Sequence, residues 1–288
     1  MKFEKLEDRM LYYRSLADNK LMANTPVIVM LDGRSFSKII KKKFQQPFDD
    51  NFIGMMNETA RYLMENVANC KFAYVQSDEI SLFLSDYDTR GTDSFFGYRL
   101  CKLQSILASM AASKFNQLLL RYNMTVHNSE NGLLVGDDVL DFISKQKLVE
   151  FDCRAWNVPT ENDAYAWFLY RQYDCIRNSK QQTAQTWLSH KSLLNLDTDK
   201  QIEKLRDEKK INWYNFKDEW KFGRFIYKTK EMFHNDERNV DYERSVLNVY
   251  PAWPLGEAEG RARLKGLDIF QNWQPSDTAS TVIDNESK

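Results

Sequence analysis

Four short apolar runs, separated by helix-like stretches, limit how this chain can fold more than any other feature of its sequence. The runs span residues 27–31, 72–75, 80–84 and 151–156. Their β-branched and aromatic residues, and the turn residues beside them, are typical of buried strands. Periodic apolar residues predict a helix over about 49–68, and a stretch rich in small residues predicts a long one over 94–121. The order β-α-β-β-α-β predicts an α+β fold with helices on one face of a sheet.

Other segments give weaker signals. Helices are also predicted at 4–18, 161–179 and 199–210. Aromatic and charged residues alternate from Trp213 to Tyr227, which predicts short strands around Gly223.

The chain has no internal repeat and no obvious linker. The simplest organisation is therefore one main domain over 1–190 and a smaller C-terminal part over 191–274 packed on it. Residues 275–288 are rich in Ser, Thr and Asp with little apolar content, which predicts a disordered tail.

Cysteine and histidine are too few and too scattered for several kinds of site. The cysteines are Cys70, Cys101, Cys153 and Cys175, and the histidines are His127, His190 and His234. They form no C-x-x-C pair and no H-E-x-x-H motif, which argues against a structural zinc site, a disulfide scaffold and a histidine-based triad. The working groups of an enzyme with this composition are expected to be carboxylates, lysines and arginines.

Neither charge nor hydropathy indicates a membrane partner. The 288 residues include 40 basic and 41 acidic side chains. The longest apolar runs are far shorter than the ~20 residues that span a bilayer, and the N-terminus carries charges of both signs rather than a signal peptide. We therefore expect a cytoplasmic protein. Basic stretches at 38–43, 204–210 and 221–230 could contact phosphates, although such runs are usually solvated surface.

The first predicted strand ends in Leu31-Asp-Gly-Arg34. A carboxylate at the end of a strand lies where ligands bind at the edge of a sheet, and Gly33 lets a phosphate or metal approach the backbone closely. An ordinary Asp-Gly turn explains the same residues.

Ser77-Asp78-Glu79 lies between the second and third predicted strands. Adjacent acids suit a core hairpin poorly, because an ionised carboxylate is costly to bury unless it is paired or bound to metal. Asp32 and Asp78 on adjacent strands are what a two-metal phosphoryl-transfer site needs. Magnesium prefers oxygen ligands, which fits a chain with few histidines.

The helix predicted over 94–121 carries a lysine among small residues. Lys102, Ser105 and Ser109 share one face of this helix. From that face Lys102 can reach a triphosphate as a point charge. A lysine on a solvated stripe is the alternative.

The helix predicted over 161–179 carries a polar line. Arg171, Asp174 and Asn178 lie one turn apart, an arrangement that suits phosphate or base contacts. An ion pair between Arg171 and Asp174 explains the spacing equally well.

Together these segments closely resemble the tRNA-His guanylyltransferase family. The matching strings are Leu31-Asp-Gly-Arg34 with Phe36, Pro47-Phe48-Asp49, Phe72-Ala-Tyr-Val-Gln-Ser-Asp-Glu79 and Arg171-Gln-Tyr-Asp-Cys175. The resemblance is clear from about 24 to 190 and looser to about 230. It implies a polymerase-palm-like antiparallel sheet over 1–190, two Mg²⁺ ions, and a homotetramer. It also implies an enzyme that adds nucleotides to the 5′ end of tRNA, in the 3′-to-5′ direction, after activating the 5′ phosphate with a nucleoside triphosphate such as ATP or GTP.

The resemblance also implies roles for individual residues. Asp32 and Asp78 are the expected metal-binding aspartates, joined by the backbone carbonyl of Gly33, and Glu79 is the expected third catalytic acid. The expected nucleotide-binding residues are Arg34, Ser35, Phe36, Ser37, Ser77 and Lys102. The candidate contacts to RNA or to a second nucleotide are Arg171, Asp174, Arg177 and Asn178.

The sequence departs from the histidine-tRNA enzymes at four places. Ile176-Arg-Asn-Ser179 replaces a His-Ile-Asn-Asn string, and Met30, Ser37 and Gln46 replace an Arg, a His and a Lys. These departures resemble the guanylyltransferase-like branch, whose members repair 5′-truncated tRNAs against a template. Templated tRNA 5′-end repair is therefore the expected function, with untemplated guanosine addition to histidine tRNA as the alternative. A nucleotide cyclase and a non-catalytic RNA-binding protein remain as rivals.

Overall fold

The computed structural model describes residues 5–87, 93–267, 269 and 270. Six strands within these residues form one sheet, in which every pair of neighbours is antiparallel. They are β1 (Val27–Gly33), β2 (Cys70–Gln76), β3 (Glu79–Leu84), β4 (Phe151–Asn157), β5 (Arg224–Asn235) and β6 (Val240–Pro251). The order across the sheet is β4-β1-β3-β2-β5-β6. The tail predicted for 275–288 lies outside the described residues.

The helices connect and cover these strands. They are α1 (Leu6–Ser15), α2 (Phe36–Lys43), α3 (Asp50–Asn66), α4 (Leu100–Asn131), α5 (Asp137–Ser144), α6 (Glu161–Trp187), α7 (His190–Leu193), α8 (Thr198–Lys209), α9 (Asp218–Lys221) and α10 (Ala258–Lys265). Short 3₁₀ turns occur at Phe95–Tyr98 and Trp213–Asn215. The predicted α+β fold and its antiparallel sheet are confirmed. None of the helices described is long and apolar enough to cross a membrane.

Helices cover both faces of the sheet, so the prediction of helices on one face is wrong. Side chains alternate between the faces of a strand, and in β1 both sets are buried. Val29 packs with the core between the sheet and helices α3 and α4, whereas Ile28 packs with Phe168 of α6 on the other face. An unbroken apolar run is the pattern of a strand buried on two sides.

The alternation from Trp213 to Tyr227 does not form the strands it predicts before Gly223. A 3₁₀ turn and α9 occupy most of this stretch, and β5 begins only at Arg224. The aromatic residue Trp213 packs into a separate core beneath α6 and α8 instead of pairing in a sheet. Gly223 has a φ of +83°, a conformation that favours glycine, and it turns the chain into β5.

The antiparallel ribbon formed by the second half of β5 and the first half of β6 extends beyond the rest of the sheet. β5 pairs with β2 only from Arg224 to Tyr227, whereas its pairing with β6 continues to Asn235. At the opposite end of the chain, the helix predicted at 4–18 is present as α1, and none of its residues is buried.

Candidate active site

Acidic side chains from three strands and one turn meet at one edge of the sheet. Asp32, near the end of β1, pairs with Glu79 of β3 on one side and with Asp152 of β4 on the other. Asp78 lies in the turn between β2 and β3, and its carbonyl oxygen accepts a hydrogen bond from the Gly33 amide at 3.1 Å. The sheet thus brings together the residues that the sequence predicts as a metal site.

The turn that carries Asp78 has a constrained backbone. Ser77 has a φ of +46°, which is uncommon for a residue with a side chain. Its hydroxyl donates a hydrogen bond to Asp78 Oδ1 at 3.0 Å. Ser77 therefore fixes the direction of the Asp78 carboxylate.

Mutual repulsion and burial make this edge unfavourable for negative charge. Burial, and secondly the neighbouring Asp32, raise the pKa of Asp78 to about 6. Burial, and secondly Asp152, raise the pKa of Asp32. Both carboxylates would ionise more readily with a cation between them.

The oxygen atoms at this edge suit magnesium better than zinc. Among the described residues, no group of three or more His, Cys, Asp and Glu side chains is arranged to hold a metal. Two carboxylates, Asp32 and Asp78, and the Gly33 carbonyl remain. Mg²⁺ usually binds one or two carboxylates and completes its shell with water and substrate phosphates. The donor set therefore fits Mg²⁺ bound together with a nucleotide.

Glu79 is held by neighbouring side chains rather than directed at the open edge. It is buried, and it accepts hydrogen bonds from Arg171 Nε at 2.8 Å and from Arg171 Nη2. Gln76 donates to the same carboxylate at 3.2 Å and Ser81 at 3.3 Å. Burial raises the pKa of Glu79, and the hydrogen bonds from Arg171 oppose this. Its contacts attach the β2–β3 hairpin to α6, while its catalytic role stays a prediction.

The polar line on α6 is an ion-pair network at its buried end. Besides Glu79, Arg171 binds Asp174 at 3.0 Å, which is the ion pair that the spacing allowed. Asp174 also accepts from Arg177 and, at 3.3 Å, from Asn178. Arg171 is 11% exposed and faces the protein, whereas Arg177 is 65% exposed. Of these residues, Arg177 and Asn178 lie where they can meet a ligand.

The loop after Asp32 is shaped by Phe36. A Cβ atom on Gly33 would lie 2.4 Å from the buried Phe36 ring, so only glycine fits there. Arg34 is exposed and bound to Glu150 at 2.6 Å. Ser35 has a φ of +60° and precedes α2.

For two of the predicted nucleotide-binding residues, the structure does not place a side chain at the site. Ser37 lies in α2, but its side chain is outside the description. Lys102 lies in the first turn of α4 with its ammonium 5.2 Å from the Phe96 ring. Phe115 lies thirteen residues after Lys102 in the same helix, which corresponds to about 20 Å along the helix axis. Phe115 contacts Phe36, which follows Asp32 closely in the chain. Lys102 is therefore at the opposite end of the sheet from Asp32.

Asp152 is a neighbour of the site that sequence reasoning missed. It stands directly opposite Asp32 in the β1–β4 register and pairs with Arg154 at 3.1 Å. The predicted strand at 151–156 contains it, but a sequence does not disclose which residues face each other across two strands. The only signal in the sequence that could have indicated Asp152 is its position as a carboxylate near the start of that strand.

The chain is similar to known proteins along most of its length. The family model described as tRNAHis guanylyltransferase matches residues 8–159. The tRNA(His) guanylyltransferase of Debaryomyces hansenii is 29% identical over 167 residues, which cover 58% of this chain and 56% of that protein. For tRNA(His) guanylyltransferase 1 of Arabidopsis thaliana, the identity is 24% over 90% of this chain and 42% of that protein. The chain spans about half the length of these curated relatives.

Solved structures extend the similarity to about nine-tenths of the chain. A bacterial tRNA(His) guanylyltransferase-like protein in complex with ATP matches with a TM-score of 0.72 and 29% identity, over 90% of this chain and 98% of that one. The Saccharomyces cerevisiae enzyme, at 22% identity over 75% of this chain and 91% of that one, shares the fold with a TM-score of 0.58. Because the family model covers more than half of the chain, including Asp32, Asp78 and Glu79, the chain belongs to the tRNAHis guanylyltransferase family.

Proposed function

We propose that this protein transfers a guanosine nucleotide to the 5′ end of a tRNA, with histidine tRNA as its substrate. The observation that carries the proposal is the meeting of Asp32 and Asp78 at one sheet edge within the region matched to the family. The names of the relatives support guanosine addition to histidine tRNA more than a general repair reaction.

The proposed reaction has two phosphoryl transfers. In the first, the 5′-monophosphate of the tRNA attacks the α-phosphorus of ATP, and pyrophosphate leaves. In the second, the 3′-hydroxyl of GTP attacks the activated 5′ phosphate, a new phosphodiester bond forms, and AMP leaves. Bacterial relatives solved with ATP and with GTP support these two substrates.

The residues of the site divide the work of these steps. Asp32, Asp78 and the Gly33 carbonyl would hold two Mg²⁺ ions, which would supply neutralisation of the phosphate charge during both transfers. Asp78 must be ionised to bind its ion, so we expect the affinity for Mg²⁺ to weaken as pH falls below about 6. Arg171 positions the hairpin through its hydrogen bonds to Glu79.

Templated repair of 5′-truncated tRNAs is the second candidate. Ile176-Arg-Asn-Ser179 in place of the His-Ile-Asn-Asn string favours it, and so does the likeness to the bacterial guanylyltransferase-like protein over 98% of that chain. Exposed residues of this segment, such as Arg177, are suited to contact the RNA. A tetramer, expected from the resemblance, stays a prediction.

The products formed on different RNAs distinguish these candidates. The protein is incubated with Mg²⁺, ATP, all four nucleoside triphosphates in turn, and 5′-labelled monophosphorylated tRNAs. One untemplated guanosine on intact histidine tRNA supports the proposal, whereas extension of truncated tRNAs only by template-matching nucleotides supports repair. A cyclic nucleotide formed without RNA would indicate a cyclase, and no product on any RNA would contradict both tRNA reactions.

A further inference from the structure

An open groove of about 390 Å³ lies between α2, α4 and the segment that follows α5. Residues four positions apart share one face of a helix, and one face of α2 therefore presents its lysines and an isoleucine to this groove. The residues that line the groove are Lys38, Ile39, Lys42, Lys43, Leu119 and Lys147. We call it the lysine groove, because four of its six lining residues are lysines.

The lysines of the groove have no anionic partners. Within the part of the chain that the structure describes, no ion pair joins them to a carboxylate, whereas the nearby Lys145 is paired with Asp141. Lys43 donates a hydrogen bond to the uncharged Oδ1 of Asn123 at 3.0 Å, and its partial burial lowers its pKa. Like charges gathered at one groove also repel each other. An anion bound there would offset both the repulsion and the desolvation.

Side-chain hydrogen bonds hold the walls of the lysine groove together. Asn123 of α4 donates to Oε1 of Gln146 at 2.9 Å, the residue before Lys147. Asn116, also on α4, donates to the Val149 carbonyl oxygen and accepts from the Val149 amide, both at 2.9 Å. The segment that carries Lys147 is therefore fixed to α4, and the groove keeps its shape without a ligand.

The same segment connects the lysine groove to the acidic edge of the sheet. The Glu150 carbonyl oxygen accepts a hydrogen bond from the Arg34 amide at 2.9 Å, and Arg34 follows Asp32 by two residues. Three residues separate Lys147 from Glu150, which corresponds to at most about 11 Å of extended chain. A polyanion whose end lies at Asp32 and Asp78 can therefore reach the groove with the part next to that end.

The lining of the groove suits a phosphate backbone rather than a base. Lysine binds phosphate as a point charge, and none of the six described residues that line the groove has an aromatic ring or an amide to stack on a base or read its edge. Contacts to phosphates position a nucleic acid without reading its sequence. An acidic peptide carries similar charge, but the reaction itself holds the end of an RNA next to the groove.

We propose that the lysine groove binds the sugar–phosphate backbone of the RNA substrate next to the 5′ end that reacts. The inference deepens the proposed function, on which it rests for the identity of the RNA. It assigns the positioning of the RNA to α2, α4 and the segment after α5.

The salt dependence of tRNA binding, measured without nucleotides, tests this assignment. Each phosphate contact contributes about 0.9 to the slope of log affinity against log salt concentration. We expect Lys42→Gln and Lys147→Gln, both at exposed positions on separate elements, each to reduce this slope by about 1, and the double variant to reduce it by about 2. Fluorescence anisotropy of labelled 5′-monophosphorylated tRNA between about 50 and 200 mM KCl gives the affinities.

A matched control separates the groove from a general effect of net charge. Lys145→Gln removes an equal charge from a lysine that Asp141 already balances, and it should keep the wild-type slope. An unchanged slope in the folded double variant, or an equal reduction in Lys145→Gln, would overturn the assignment.

Two further measurements identify the ligand of the groove. The affinity of the double variant for GTP alone should equal that of the wild type, and a loss would place the lysines at the nucleotide site and overturn the assignment. Weaker binding of polyglutamate with unchanged binding of tRNA would favour an acidic peptide and also overturn it. Binding of tRNA that depends on the groove, with no transfer of nucleotide to any tRNA, would contradict the proposed function alone.

Discussion

Asp78 is the residue whose protonation responds most directly to the assembly of the site. Its pKa is raised to about 6 by burial and by Asp32, whereas in the unfolded chain it lies near 3.9. The folded protein therefore holds a proton on Asp78 between about pH 4 and pH 6 that the unfolded chain has lost. Stability falls as pH rises through this interval and does not return above it.

Replacing Asp78 with Asn should remove this pH dependence. In the absence of divalent ions, we expect Asp78→Asn to exceed the wild type by about 1–3 kcal/mol in free energy of unfolding at pH 7.5, and to match it near pH 4. Urea unfolding at both pH values measures the difference. Asp236→Asn, at a fully exposed position, is the control and should change neither. If Asp78→Asn were less stable than the wild type at pH 7.5, the ionised Asp78 carboxylate would not be destabilising, and the prediction would be contradicted.

Removing the charge of Arg171 from its buried pair with Glu79 should lower the stability of the protein, unlike removing the charge of Asp78. Arg171→Met leaves the Glu79 carboxylate buried at 5% exposure without its cation, which should cost about 3–5 kcal/mol. The double variant Arg171→Met/Glu79→Gln should recover part of this loss, because no buried charge is left unpaired. Denaturant titrations of the two variants provide the comparison. A single variant within about 1 kcal/mol of the wild type would mean that water or another group reaches Glu79.

At the scale of elements, the strands of the motifs were predictable, and so was the helix predicted at 199–210, which is α8, but the full lengths of β5 and β6 were not. β1, β2 and β3 are short, β-branched and apolar on both faces, so residue type alone indicates them. β5 begins with four buried residues and then alternates, because its second half leaves the sheet as a ribbon. β6 is exposed over its first half. Neither has the apolar pattern of a core strand.

The same limit applies to the candidate site. Asp32, Gly33 and Asp78 could be placed together because turn chemistry and strand ends are local in sequence. The contact between Glu79 and Arg171 spans ninety-two residues, and the facing of Asp32 and Asp152 depends on strand register. Lys102 was assigned through its helix face, which gives no position along the length of the sheet.

Replacing two glycines with alanine should change the stability of the protein in opposite directions. Gly223→Ala places a Cβ 2.7 Å from the Val75 carbonyl oxygen at a φ of +83°, so it should destabilise the protein by more than about 1 kcal/mol. Gly54 lies within α3 with open space around its Cα. There Gly54→Ala should stabilise by about 0.5–1 kcal/mol. Thermal unfolding of both variants tests the strained entry into β5, and a neutral Gly223→Ala would contradict it.

At the scale of the whole molecule, the near-zero net charge says little about RNA. The 40 basic and 41 acidic side chains are distributed unevenly, with carboxylates gathered at one sheet edge. Binding of a tRNA depends on local positive surface, and its affinity should fall with rising salt concentration.

The central claim is that Asp32 and Asp78 together support transfer of a guanosine nucleotide to the 5′ end of histidine tRNA. The most direct measurement is the single-turnover rate at which labelled GTP is joined to 5′-monophosphorylated histidine tRNA with ATP and Mg²⁺, for the wild type, Asp32→Asn and Asp78→Asn. We expect both variants to be folded and slower by more than about 100-fold, because even changes outside the direct ligands of a metal cost 10–100-fold. Undiminished transfer by either folded variant would contradict the claim.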